Sequence, residues 1–322
     1  MNVGLREKLA NDLLIGKICV IKLKKKSDTV VAEFDLFIGI DWSGAKGSSH
    51  PGIAVSEAKF GSSAPVIVSP PKNLRYWSRG KVIEYLMKRS SEKRVLVGID
   101  FAFSYPFFDE MSFFPGIKEA PTTALELWAL INRININSSD FYGGLIWKDP
   151  TFSCFYNSPG NKGEKFRSRR RLTENWAKRI KSPSPTFNCV GPAGVGTGSL
   201  AGMRVLHEIG HRACRWPIEK TFKHRLTLVE IFPSYYFALS GIRPIKGDHA
   251  RIKVLNKALE FFGSELLPES FVINGPDFDE ADALISSAAI RALAANKTNW
   301  IVPKEAMKEG WIFGVEYNDK TS

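Results

Sequence analysis

The sequence predicts an α/β fold: a mixed sheet of five strands flanked by helices, with one long insertion. Near-continuous apolar runs at residues 36–40, 95–99 and 226–229 are typical of strands that are covered on both faces. Apolar residues at helical spacing lie between and after these runs. With 322 residues, 44% of them hydrophobic, the chain is long enough for one large core or for a core with an inserted subdomain.

Charge and cysteine content narrow the setting in which the protein acts. The chain has 45 Lys and Arg against 33 Asp and Glu, a net charge of +12, which favours polyanionic partners or anionic membrane surfaces. No run approaches the roughly 20 apolar residues of a membrane span, so we expect no membrane-spanning segment. The cysteines are far apart and form no CxxC pair, which indicates neither a disulfide framework nor a zinc knuckle and fits a cytoplasmic location. The sequence leaves the oligomeric state open. The cysteines are Cys19, Cys154, Cys189 and Cys214.

The chain is predicted to begin with a basic extension, residues 1–33, followed by the main domain, residues 34–318. Seven basic side chains precede position 27, and the first strong strand pattern comes only after them. Such an extension is either an arm that contacts nucleic acid or a variable, partly ordered segment. The main domain contains the predicted insertion at about residues 103–190.

The first half of the main domain has the order strand, strand, strand, helix, strand. Strands are predicted at 36–40, 52–56 and 64–68, bounded by Gly, Pro or Ser turns. A helix through Val82–Arg89 and a strand at 94–100 follow. Three consecutive strands with short links should form an antiparallel meander before the crossover helix.

The second half is predominantly helical. A helix at 122–134 should be capped by Thr122 or Thr123, and another should follow the glycine-rich stretch 191–198. That stretch is either a phosphate-binding loop, a mobile loop beside a catalytic site or a plain helix cap. Further strands are predicted at 212–217 and 226–231, and further helices from Pro233, at 252–262 and from Asp279.

Carboxylates follow the strand ends and occur on the last long helix. Asp41, Asp100 and Glu230 end three apolar strands, and Asp279 and Asp282 lie about 60° apart on one helix flank. A single Asp at a strand end is most often a turn or helix cap. Clustered like charges repel unless cations neutralise them, and hard carboxylate oxygens suit Mg²⁺ or Mn²⁺. Two such ions would support in-line attack of water on a phosphodiester, with Asp41, Asp100, Glu230 and Asp282 as catalytic residues.

A basic segment inside the insertion is the predicted contact with DNA or RNA. Residues 162–181 hold nine Lys or Arg and two Glu, with Phe166 and Trp176 interleaved. This composition suits either a solvated face or a surface that binds phosphates and stacks bases. The predicted nucleic-acid-binding residues are Lys165, Arg167, Arg169, Arg170, Arg171 and Trp176.

Several short motifs, in their order along the chain, resemble an uncharacterised family of predicted RNase H-like nucleases. They span about residues 35–315: 38–44 (IGIDWSG), 98–100 (GID), 194–202, 216–219 (WPIE), 229–233 (VEIFP) and 279–284 (DEADAL). The final helix is similar to that of Holliday-junction resolvases. The resemblance implies a ribonuclease H-like fold and a two-metal nuclease site, in which Asp41 bridges the ions and Asp100, Glu230 and Asp282 are further ligands. Asp279 would then be an alternate or outer ligand.

Three other functions fit parts of the sequence. Residues 207–211 (HEIGH) match the zincin pattern HExxH, although Gly210 lies inside the motif. Actin-like and sugar-kinase ATPases also begin with a strand, an Asp and a glycine turn, but their second Asp-x-Gly loop has no counterpart at Asp100. A nucleic-acid-binding module with the same fold but no catalytic activity is the third alternative, because a fold does not determine a function.

Overall fold

The apolar runs form the strands of a six-stranded mixed sheet in a computed structural model, which describes residues 33–191, 194–242, 251–276 and 278–318. These residues belong to one unit, Ala32–Ser322. The predicted basic extension lies outside them, except for Glu33. The sheet strands are β1 (Leu36–Asp41), β2 (Ala54–Lys59), β3 (Val66–Ile67), β4 (Val95–Ile99), β7 (Cys214–Arg215) and β8 (Leu226–Glu230), and a small hairpin is formed by β5 (Asn157–Ser158) and β6 (Asn161–Lys162).

The strand order across the sheet is β3-β2-β1-β4-β8-β7. β1 pairs antiparallel with β2, and β2 with β3, which confirms the predicted meander. β4 is parallel to β1, and β8 is parallel to both β4 and β7. The predicted number of five strands is wrong by one. Both two-residue strands lie inside stretches that were predicted as strands, β3 within 64–68 and β7 within 212–217, so the error is in the number of strands assigned to the sheet.

The helices that the sequence predicts are present close to the predicted positions. Thr123 caps the helix Ala124–Ile134 through a capping box with Glu126, as the sequence predicts for this helix start. Pro233 lies in the first turn of the helix Pro233–Leu239, where its missing N–H leaves no hydrogen bond unmade. The helices are α1 (Arg79–Glu92), α2 (Ala124–Ile134), α3 (Leu172–Ala177), α4 (Val195–Ile209), α5 (Pro233–Leu239), α6 (Ile252–Phe261), α7 (Asp279–Ala294) and α8 (Ala306–Glu309).

Alternating strand residues pack into two separate hydrophobic cores, one on each face of the sheet. Leu36, Ile38 and Ile40 of β1 belong to a core that includes α1, α2 and α4, which we call the α4 face. Phe37 of β1 belongs to a core that includes α5, α6 and α7, which we call the α7 face. Because side chains alternate along a strand, Gly39 and Asp41 share the α7 face with Phe37.

Gly39 lets α7 pack directly on β1. A Cβ at this position would lie 2.3 Å from the backbone oxygen of Ala283 and 2.5 Å from the backbone nitrogen of Ser287. Next to this contact, Ser56 of β2 and Ser287 share a buried hydrogen bond of 2.7 Å between their hydroxyl oxygens. Backbone atoms cannot rotate away as a side chain can, so only glycine permits this approach. The height of α7 above the sheet is therefore set at Gly39.

Cys154, Cys189 and Cys214 are free thiols in the described structure, and Cys19 lies outside the described residues. Within the described ranges, every helix is too short or too polar to cross a membrane.

The replacement Gly39→Ala is expected to lower the free energy of unfolding by about 1–3 kcal/mol, because the added methyl group would overlap the α7 backbone. Gly80→Ala in α1 is the matched control, since its added carbon would be 3.6 Å from its nearest neighbour, Asp140 Oδ1. Alanine favours helix over glycine by roughly 1 kcal/mol, so this control should be neutral or stabilising. Urea unfolding measures both, and equal effects would contradict the packing argument.

Candidate active site

Asp41 and Asp100 lie side by side at the ends of two neighbouring parallel strands. In the register of β1 and β4, Ile40 is opposite Ile99. The next residue of each strand, Asp41 and Asp100, is therefore opposite the other. The backbone N–H of Asp100 donates to the carbonyl oxygen of Ile40 at 3.0 Å, which continues the pairing to the strand ends. Parallel strands deliver their carboxyl ends to one edge of the sheet, which explains why two distant aspartates meet there.

Helix α7 adds two more carboxylates from above this edge. Asp279 and Asp282 lie in its first turn, three residues apart and so on neighbouring positions of one flank. Asp279 is buried and hydrogen-bonded to the side chain of Asp41. Since Gly39 brings α7 onto β1, the packing contact that sets the helix height also brings these four carboxylates together. Asp41, Asp100, Asp279 and Asp282 are hereafter the carboxylate cluster.

Burial and neighbouring carboxylates raise the pKa of three members of the cluster, Asp41, Asp100 and Asp282. Burial, followed by the charges of Asp282, Asp100 and Asp279, holds the pKa of Asp41 well above its usual value. Burial and the charges of Asp282 and Glu230 do the same to the pKa of Asp100. Burial and Asp279 raise the pKa of Asp282 to about 7. Burial and repulsion between like charges both favour the protonated form of a carboxyl group, so these carboxylates are costly to ionise together.

The chemistry of the cluster fits a hard divalent cation. All its donors are carboxylate oxygens, the ligands preferred by Mg²⁺ and Mn²⁺, and Asp282 Oδ1 is buried without a hydrogen-bond partner. Asp41, Asp100 and Asp282 retain partial exposure, which leaves a route for an ion. In the parts of the chain that the structure describes, no three His, Cys, Asp or Glu side chains already form a set arranged to hold a metal. The cluster therefore has the right donors but not a preformed coordination sphere.

Glu230, the fifth predicted ligand, lies on the other face of the sheet. It is opposite Ile99 in the register of β4 and β8, and Ile99 belongs to the α4 face. Both carboxylate oxygens accept hydrogen bonds from Arg171, at 2.5 Å and 2.7 Å, and one also accepts the backbone N–H of Phe103 at 2.9 Å. Glu230 is therefore bound to Arg171 on the α4 face, apart from the four aspartates, and its predicted role as a metal ligand and catalytic residue stays a prediction. The alternation of side chains along β8 explains why this strand-end carboxylate faces away from the other three predicted ones.

Arg171 is the centre of a buried ion cluster that sequence reasoning missed. Besides Glu230, its guanidinium donates to Glu174 at 2.9 Å and to the backbone oxygen of Glu309 at 3.0 Å. Nearby carboxylates raise its pKa against the opposing effect of burial. The side chain of Glu309 accepts the backbone N–H groups of Phe107 and Leu172, at 2.6 Å and 2.8 Å. These contacts join the predicted insertion to β8 and α8.

The predicted nucleic-acid surface divides into exposed and internal residues. Lys165 and Arg167 are exposed, and Arg170 and Trp176 are partly buried. Arg169 is buried and donates to both oxygens of Asp109, at 2.6 Å and 2.8 Å. Arg169 and Arg171 are thus buried in ion pairs with Asp109 and Glu230, whereas Lys165 and Arg167 are the predicted binding residues that are exposed. In the sequence, Arg169, Arg170 and Arg171 are consecutive, and no local pattern indicates which of them is buried.

The loop after Asp41 is held by contacts that the sequence did not indicate. Arg79, fully buried at the start of α1, donates to the backbone oxygens of Ser43 and Ala45, both at 2.7 Å. The indole N–H of Trp42 donates to the backbone oxygen of Gly198 in α4 at 3.2 Å. A Cβ on Gly44 would lie 2.2 Å from backbone atoms of Thr197, so the loop rests directly on the first turn of α4. These contacts fix the end of β1 where Asp41 begins its turn.

The HEIGH stretch does not form a zincin helix. α4 ends at Ile209, and Gly210 has a φ of 55°, a left-handed conformation that ends the helix. His211 therefore lies beyond the helix that bears His207, and the two imidazoles do not share one helical face. Thr197, which belongs both to the glycine-rich stretch 191–198 and to the first turn of α4, packs on the loop after Asp41.

Comparisons with protein-family models, with curated proteins and with solved structures yield no match to this chain. The function proposed below is therefore inferred from the carboxylate cluster and from the sequence motifs.

The replacement Asp282→Asn is expected to stabilise the metal-free protein at pH 8. The folded-state pKa of about 7 exceeds the unfolded-state value of about 3.9, so stability falls as the pH rises from about 4 to about 7. This loss amounts to about 4 kcal/mol at pH 8 and about 1–2 kcal/mol at pH 5, and a neutral Asn removes it. Urea unfolding in EDTA measures this. Glu84→Gln, on the exposed side of α1, is the control and should show no such pH difference.

The replacement Arg171→Met should lower the free energy of unfolding by about 3–5 kcal/mol, because it leaves Glu230 buried without its partner. Arg212→Met, which removes a surface cation 3.7 Å from Glu208, should cost about 1 kcal/mol or less. In the double variant Arg171→Met/Glu230→Leu, much of the loss should be recovered, since neither charge remains. Urea denaturation tests the set. An undiminished loss in the double variant would show that the charge pair is not the cause.

Proposed function

We propose that this protein is a metal-dependent nuclease with a ribonuclease H-like fold, which hydrolyses phosphodiester bonds of DNA or RNA with Mg²⁺ or Mn²⁺. The observation that supports this most is the convergence of Asp41, Asp100, Asp279 and Asp282 at one sheet edge, with the pKa of Asp41, Asp100 and Asp282 raised by burial and by neighbouring carboxylates. The motif resemblance to predicted RNase H-like nucleases points to the same chemistry. Glu230 is left out of the ligand set.

The electrostatics of the cluster favour a cation-dependent reaction. A phosphodiester is an anion, and four carboxylates would repel it unless positive charge is present. Asp41 lies between Asp100 of β4 and the two aspartates of α7, so it is the residue best placed to share a bound ion with both sides. When bound, Mg²⁺ or Mn²⁺ supplies Lewis acidity that activates water and stabilises the leaving oxygen. The buried Arg79 and Trp42 contacts hold the Asp41 loop in one position during this step.

The proposed setting is the cytoplasm, and the proposed partner is nucleic acid. The free thiols Cys154, Cys189 and Cys214 suit a reducing compartment. The net charge of +12 and the exposed Lys165 and Arg167 favour association with a polyanion. These features act at long range and add no sequence preference, because contacts to phosphates are the same for every base.

The wild type should cleave at least one labelled substrate among single-stranded DNA, single-stranded RNA, a hybrid duplex and a branched junction when Mn²⁺ is present. Asp41→Asn should lower the rate by 10²-fold or more, since it removes the central carboxylate of the cluster while keeping its shape. Gel analysis of the labelled products measures the rate, and calorimetric titration with Mn²⁺ measures the loss of ion binding independently.

Glu265→Gln is the matched control, an acid-to-amide change at an exposed surface carboxylate outside the cluster, and it should leave the cleavage rate unchanged. Absence of Asp41-dependent cleavage on all four substrates would defeat the nuclease proposal. ATP turnover instead would favour the phosphotransferase alternative, and binding without any cleavage would favour a silent nucleic-acid-binding module.

A further inference from the structure

A cleft of about 450 Å³ opens directly beside the carboxylate cluster. Its walls come from the β2 and β3 edge of the sheet, from the loop at 69–77 and from the loop at 274–276 that precedes α7. Asp279 is part of both the cleft lining and the cluster. A ligand in this cleft would therefore extend from the site where we place the chemistry.

One wall of the cleft pairs an aromatic ring with a cation. The exposed guanidinium carbon of Arg75 lies 5.1 Å from the centroid of the partly buried Tyr76 ring. Arg75 is the only cation among the described residues that line the cleft. Trp77 beneath them is buried, and its indole N–H donates to the backbone oxygen of Val68 at 3.3 Å. The wall thus has a fixed base with a ring and a positive charge at its surface.

Another part of the cleft lining is fixed close to the cluster. Gly275 has a φ of 107°, and a Cβ there would lie 2.6 Å from Asp279 Oδ2, so only glycine lets this loop rest against the aspartate. The backbone N–H of Asn274 donates to the Glu280 carboxylate at 2.7 Å. That hydrogen bond offsets part of the Glu280 charge. The cleft lining thus holds both the cation of Arg75 and the carboxylates of Asp279 and Glu280.

We propose that the cleft binds one unstacked nucleotide of a single-stranded substrate, an inference that rests on the proposed nuclease function. The base would stack on Tyr76, and the phosphate next to the scissile one would contact Arg75. Aromatic rings bind bases of any sequence through their faces, and arginine recognises phosphate oxygens in a bidentate manner. The cleft has the size of a site for one small ligand, so a base that remains paired in a duplex cannot enter it.

The test measures binding apart from cleavage, by fluorescence anisotropy of labelled eight-nucleotide DNA, RNA and a DNA duplex in Ca²⁺ buffer. Single strands should bind more tightly than the duplex. Tyr76→Ala and Arg75→Ala should each raise the Kd for single strands about fivefold or more, the size of a lost stacking or phosphate contact. Tyr76→Phe retains the ring and should bind as the wild type does. A free mononucleotide as competitor shows whether one nucleotide alone occupies the cleft.

Two matched controls lie outside the cleft lining. Phe60→Ala removes an aromatic ring that is 79% exposed, and Arg212→Ala removes a surface arginine, so both should leave the Kd unchanged. Wild-type binding by Tyr76→Ala, or duplex binding as tight as single-strand binding, would overturn the cleft proposal. Tyr76-dependent binding without Asp41-dependent cleavage would instead refute the nuclease proposal alone. Asp41-dependent cleavage that ignores Tyr76 would refute the cleft alone.

Discussion

The close contact between β1 and α7 at Gly39 determines where every residue of the carboxylate cluster lies. Two of the aspartates come from the sheet and two from the helix, so the space between them depends on how near the helix backbone can approach the strand. Any larger residue at position 39 would raise α7 and separate Asp279 from Asp41. Interiors are close-packed and pass such shifts on rather than absorbing them. Because Gly39 has no side chain, the packing of α7 on β1 also sets the distance between the helix aspartates and Asp41.

That arrangement places like charges together at a cost to stability. The raised pKa of Asp41, Asp100 and Asp282 means that the folded state holds protons that the unfolded chain releases more readily. A cation that binds only the folded state would offset this cost by mass action. On the α4 face, the buried carboxylates of Glu230 and Glu174 are instead paired with the guanidinium of Arg171. The sheet therefore separates the Arg171 ion cluster on the α4 face from the carboxylate cluster on the α7 face.

Much of this was readable from the sequence, and the failures have identifiable causes. Strands and helices with long periodic patterns were predicted almost to the residue, as β1 and α7 show. Short strands were placed correctly but predicted too long, as β7 shows, which has two residues within the predicted strand 212–217. Asp100 was assigned correctly to the end of a strand. Glu230 is opposite Ile99, one position before Asp100 in the sheet register, so its side chain lies on the other face of the sheet. Pairing partners such as Asp109 for Arg169 depend on tertiary contacts 60 residues apart, which no local pattern encodes.

The two faces also divide the basic residues between structure and binding. Arg171 and Glu309 fasten the insertion to β8 and α8 on the side away from the cluster, so the charges that fold the insertion are not available to a ligand. The residues beside the cluster come instead from the β2 and β3 edge and from the loop before α7. In the proposed complex, a nucleotide in the cleft would contact Tyr76 and Arg75 next to Asp279. The net charge of +12 predicts a polyanionic partner without locating the contact, whereas the cleft lining identifies Arg75 as a cation beside the cluster.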